Sequence, residues 1–142
     1  MYTTKLSGIV PNVVGPVSLA SAAEVQAFMV GSKQKVLRLL AQVTTAVVST
    51  GAVQVDCYAR PTHGSTSGQV LLGSLLIPAG SAAGAKLYKD ISVATAVLAG
   101  QEVAFTVSTA AAGGGAAGAA ILNFESEECP DTAGNQGLIA SA

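Results

Sequence analysis

The sequence predicts an all-β fold, an antiparallel β-sandwich of jelly-roll type with an extended N-terminal arm and a C-terminal tail. Three observations predict it. Roughly seven or eight short apolar segments follow one another, with turn signals about every 8–15 residues. The clearest of them, Ala52–Arg60, alternates with period two, as a sheet with one buried face requires. No amphipathic helix of useful length and no internal repeat interrupts the series. An immunoglobulin-like sandwich is the second choice, because its Cys…Trp…Cys hallmark is missing.

The elements follow in chain order. Residues 1–20 read as the arm, since Pro11 and Pro16 lack the backbone donors of a regular strand. Its apolar residues Ile9, Val10, Val13, Val14 and Val17 need cover. They lie either on their own domain or on a neighbouring subunit or capsid, and these five are the candidate interface residues. Residues 21–126 are expected to form the sandwich and 127–142 a polar, extended tail. Glu24–Met29 alternates and ends at the Gly31-Ser32 turn. In Lys35–Thr45, Leu37, Leu39, Ala41 and Val43 alternate with Arg38, Leu40, Gln42 and Thr44. A short helix would also suit Leu and Arg, but the Val/Thr-rich continuation favours a strand.

In Ala52–Arg60, Val53, Val55, Cys57 and Ala59 are expected inward and Gln54, Asp56, Tyr58 and Arg60 outward. Pro61–Gly68 is a loop. Gln69–Ile77 is a core strand closed by Pro78, and Lys86–Val93 is the next strand. A short segment, Ala96–Leu98, leads to the Ala99-Gly100 turn. Glu102–Ser108 turns Val103, Phe105 and Val107 inward, and Ala110–Gly118 is a loop. Ala119–Glu125 closes the sandwich with Leu122 and Phe124 inward.

Composition excludes several functions. Charged residues are 11% and the net charge is −1, so there is no basic face to displace counterions from nucleic-acid phosphates. Aromatics are 4% with no Trp, which leaves little material for a stacking platform. The two cysteines form no CxxC or Cys/His ligand set. Cys57 is expected as a small core residue; the alternative is a Cys57–Cys129 disulfide. We expect no export signal, no membrane span and no cofactor.

The candidate chemistry is thin. Gly113-x-Gly115-x-x-Gly118 has the letters of a dinucleotide fingerprint, but a strand pattern rather than a helix follows it. Gly80–Lys86 lacks the Gly-Lys-Ser/Thr ending of a P-loop. His63, the one histidine, lies near Asp56, Ser65 and Ser67 in sequence, without a Gly-x-Ser-x-Gly elbow. An enzyme would need a site around Asp56, His63 and Glu102. The acidic group Glu125, Glu127, Glu128 and Asp131 lacks EF-hand spacing and reads as a solvated strand exit. What the chain has in quantity is Ala, Val and Gly, which suits close contact with other protein chains.

Gly73-Ser-Leu-Leu-Ile-Pro-Ala-Gly80, Leu87-Tyr-Lys-Asp-Ile91, Val97-Leu-Ala-Gly-Gln-Glu-Val-Ala-Phe-Thr-Val107 and Ile121-Leu-Asn-Phe-Glu125 together carry a resemblance. They resemble the jelly-roll cement, or decoration, proteins of tailed bacteriophage capsids, over roughly residues 35–125. The resemblance implies a non-enzymatic virion protein on the capsid exterior, assembled in the host cytoplasm. Its partners would be the phage major capsid protein and itself, as a homodimer or else a trimer. A glycan-binding or adhesive β-sandwich on a phage tail or cell surface is the alternative, with Tyr58 and Tyr88 as its aromatic candidates.

Overall fold

The computed structural model describes residues 15–92 and 95–129. Among the described residues nine strands form two antiparallel sheets: β1 (Val17–Ser18), β2 (Ala23–Met29), β3 (Gln34–Val48), β4 (Val53–Arg60), β5 (Val70–Ile77), β6 (Lys86–Asp90), β7 (Ala96–Val97), β8 (Glu102–Thr109) and β9 (Ala117–Glu128). Sheet I has the order β1-β9-β3-β6, with β7 also paired to β3. Sheet II has the order β2-β8-β4-β5. The outermost strands of the chain therefore pair with each other, β1 with β9 and β2 with β8, while β4 and β5 pair near the middle. The chain is a long hairpin doubled back on itself and folded across two layers. The fold class expected from the sequence, an antiparallel β-sandwich, is observed.

Period-two alternation builds the core between the sheets. Val53, Val55, Cys57 and Ala59 of β4 are buried, as are Val103, Phe105 and Val107 of β8 and Leu122 and Phe124 of β9. Phe28 stands edge-on to both Phe105 and Phe124, with centroids 6.2 and 5.5 Å away, joining sheet II to sheet I. Such edge-to-face pairs add about 0.5–1.5 kcal/mol beyond area burial. Cys57 and Cys129 are free thiols. Burial pushes the Cys57 thiol far above its ordinary value, which makes it a small inert core residue.

Several elements differ from the sequence expectation. Lys35–Thr45 belongs to one long strand, β3, whose pairing with β9 shifts at bulges between Val36 and Arg38 and again after Val43. The first bulge buries Val36 and Leu39 and leaves Leu37 half-buried, so Leu37 does not share the inward row. β6 ends at Asp90, three residues before the expected end, and Ile91 instead packs on the core. The sandwich also begins inside the expected arm. Val17 and Ser18 pair with Ala120 and Ala119, and Leu19 is fully buried. At the other end β9 continues to Glu128.

Candidate functional site

β5 is an edge strand, paired with β4 on one side only. From Val70 to Ile77 it carries no charged residue and no proline. Leu72, Leu75 and Ile77 face the core, while Val70, Leu71 and Leu76 are 41%, 47% and 56% exposed. Exposed sheet edges are usually blunted by shortness, charge or proline. The other four outer strands among the described residues follow that rule. β1 and β7 have two residues each, β6 carries Lys86, Lys89 and Asp90, and β2 carries Glu24. β5 alone among the outer strands is long, neutral and greasy, which is the form an edge takes when another chain covers it.

Beside this edge the outer face of sheet II holds a polar cluster. Cross-strand register sets Asp56 against Ser74, Tyr58 against Leu71 and Gln54 against Leu76. Ser74 Oγ donates to Asp56 Oδ1 at 2.6 Å, and Gln54 Nε2 donates to the same oxygen at 2.9 Å. Tyr58 OH lies 3.5 Å from Oδ2. Burial alone would push the Asp56 carboxyl up, but hydrogen bonds from Ser74, Gln54, Ser108 and Tyr58 outweigh it and hold it below the ordinary carboxylate range. Burial and the Asp56 charge push the Tyr58 phenol up. This acid is a structural anchor with its lone pairs already engaged.

A second cluster closes the far end of the same face. Arg60 is 3% exposed, although it lies on the outward row. Its Nη1 donates to Glu24 Oε1 across β2–β4 and stands 3.9 Å from Glu102 Oε1. Glu102 Oε2 meets His63 Nδ1 at 2.7 Å, tying the Pro61–Gly68 loop to β8. The sequence-predicted trio thus separates. His63 and Glu102 meet, whereas Asp56 bonds Ser74. Ser65 Oγ accepts from the Ser67 N–H at 3.2 Å, a local turn bond.

Sheet I offers a different surface. Leu40, Gln42, Lys86, Ile121 and Asn123 line a shallow groove of about 280 Å³, together with Ala41 and Leu87, of which Ala41 is buried and Leu87 packs on the core. Tyr88, opposite Leu40, is 63% exposed, and the Arg38 guanidinium sits 4.6 Å over its ring. Arg38 Nε donates to Asp90 Oδ1 at 2.8 Å, which fixes the cation there.

Of the five candidate interface residues, Val17 pairs with β9 and packs on its own core, so it is not an exposed contact. Ile9, Val10, Val13 and Val14 lie outside the described residues. In the acidic group, Glu127 stands opposite Lys35 and Glu125 opposite Arg38 in the β3–β9 register. Asp131 lies outside the described residues. Among the described residues no three His, Cys, Asp or Glu side chains gather as metal ligands, and no helix is long and apolar enough to cross a membrane. Gly113 and Gly115 take positive φ in a turn that leads into strand β9, so the fingerprint letters open no helix.

No family model, curated protein or solved structure matches this chain. Function therefore has to be argued from the surfaces themselves. The β5 edge was missed in the sequence because Gln69–Ile77 reads as a buried core strand. The available signal was its run of leucines on both faces, which one buried face does not need.

Proposed function

We propose that this protein is a non-enzymatic virion structural protein that binds the outside of a tailed-phage capsid. There it cements adjacent major capsid protein subunits. The unprotected β5 edge carries the reading: a neutral strand with Val70, Leu71 and Leu76 in solvent suits addition to another protein's sheet. The first-with-last strand pairing is the order of a jelly roll, which supports the finer fold within the sandwich class. The resemblance in residues 73–80, 87–91, 97–107 and 121–125 supplies the capsid partner.

Cementing follows from simple energetics. Each apolar contact stabilises at roughly 25 cal/mol per Å² buried, less the ordering of side chains. Many weak contacts on one closed shell act together through avidity. Self-association, as a homodimer or else a trimer, would let one oligomer bridge two capsid subunits.

Quantitative mass spectrometry of purified virions tests this. Hundreds of copies in fixed ratio to the major capsid protein are expected. A handful would move the protein to a tail or neck, and absence from particles would overturn the reading. A second reading rests on Tyr88, an aromatic ring open on one sheet face beside Arg38 and Asp90, and makes the protein a glycan binder. A glycan array on which Tyr88→Ala abolishes binding would favour it.

A further inference from the structure

The outward row of β5 is the same in both directions. Leu71, Ser74 and Leu76 stand opposite Tyr58, Asp56 and Gln54 of β4, on evenly spaced rungs. Leu72 is the extra residue of a bulge between Leu71 and Gly73, and its side chain is buried. The row is therefore leucine, serine, leucine, symmetric about Ser74. Among the described residues no second strand pairs with this edge, and no loop hydrogen-bonds the backbone of Val70–Ile77 from its open side.

We propose that β5 of a second copy of this chain covers the edge, antiparallel, about a two-fold axis at Ser74. The two four-stranded sheets then run on as one. Ser74 meets the second copy's Ser74, and Leu71 meets the second copy's Leu76 on both sides of the axis. Two properties select a copy over a foreign chain. The first is the palindrome: a two-fold interface sets a surface against itself, and this row then places leucine on leucine twice. The rotation also repeats the bulge, so the two strands stay in step beyond it. The second is charge. Opposed charges let an edge choose a different partner, and Val70–Ile77 carries none. Self-pairing for the same reason sets no like charges across the joint. Asp56 stands one strand in, so the two copies of it lie three strand spacings apart, about 14 Å. That exceeds the screening length of about 8 Å at physiological salt. The inference takes up the edge on which the proposed function rests, and gives the bridging dimer of that reading its joint.

Cysteine cross-linking of the full chain tests it, in a Cys129→Ser background that leaves only the buried, inert Cys57. Leu71→Cys and Leu76→Cys both change exposed side chains, which spares the core. Facing residues of paired strands lie about 4.5–5.5 Å apart at Cα, within reach of a disulfide. Each position lies about 13 Å along the strand from its own copy, out of reach. A mixture of the two variants should therefore give a disulfide-linked dimer on mild oxidation that either variant alone lacks. Linkage by one variant alone as readily as by the mixture would overturn the register and with it the proposal. Sedimentation velocity of the wild type, with no capsid present, should show a monomer–dimer equilibrium. A trimer, or a monomer at every concentration, would overturn the proposal, while virion copy number still decides the capsid reading separately.

Discussion

Leu19 donates its N–H to Gly118 O at 2.9 Å, and its own carbonyl accepts the Ala111 N–H at 2.8 Å. With its side chain fully buried, this residue stitches the chain entry to the start of β9 and to the loop before it. The sandwich therefore begins before the point that composition suggests. Leu19→Ala should lower unfolding free energy by about 2–5 kcal/mol, the usual cost of a buried leucine truncation. Deletion of residues 1–14 should leave the urea transition cooperative, whereas deletion of residues 1–20 should not. Denaturation followed by circular dichroism separates the two.

The β5 edge predicts a loss of association without a loss of stability. Leu71→Lys with Leu76→Lys places two charges on an exposed edge. Such surface changes usually move stability by less than about 0.5 kcal/mol each. Sedimentation velocity should show self-association weakened, and co-sedimentation with capsids lacking the protein should fall at the same time. Unchanged binding by a folded double variant would remove β5 from the interface.

Asp56 predicts acid sensitivity. Its folded pKa lies below its ordinary value of 3.8, so it binds fewer protons folded than unfolded near that pH. The stability it adds is present above about pH 4 and is lost as pH falls through the folded value. Asp56→Asn should be less stable than the wild type at pH 7, and the two should converge on acidification. Parallel pH profiles of the two unfolding curves would contradict the hydrogen-bonded anchor.

Arg60 joins Glu24 and Glu102 from a buried position. Arg60→Ala removes the buried cation beside Glu102 Oε1, leaving the largely covered carboxylate only His63 on Oε2, and should cost about 1–3 kcal/mol. Arg60→Met, which keeps most of the volume, should recover part of it. Adding Glu102→Gln to Arg60→Ala should recover more, because it removes the uncompensated charge. Urea titration of the variants measures each.

Gly73 is held small by its neighbour. A Cβ there would collide with the Cδ1 of Ile91. Gly73→Ala requires only that Cδ1, the free end of the Ile91 side chain, swing aside, so it should cost at most about 1 kcal/mol, the low end of overpacking, and Ile91→Val should relieve it in the double variant. Strict additivity of the two changes would show that the contact does not matter.

The sequence by itself determined where most of the strands of this protein run, though not β1, which lies inside the expected arm. Alternation marked the inward rows of β4, β8 and β9, because side chains two apart share a face whatever the partner strand is. Scarce charge and the single histidine also left few places for chemistry. Only the tertiary structure decided which strands lie at edges, and hence that β5 is open and β1 is tied to β9. Pairing is non-local, and no residue in Val70–Ile77 records its neighbour. Local alternation also could not report the bulges that change Leu37's row, since a bulge is a mismatch between two strands. Asp56 and Arg60 follow the same logic. Period two turned both outward, and cover from Ser74, Tyr58, Glu24 and Glu102 on other rungs and strands buried them there.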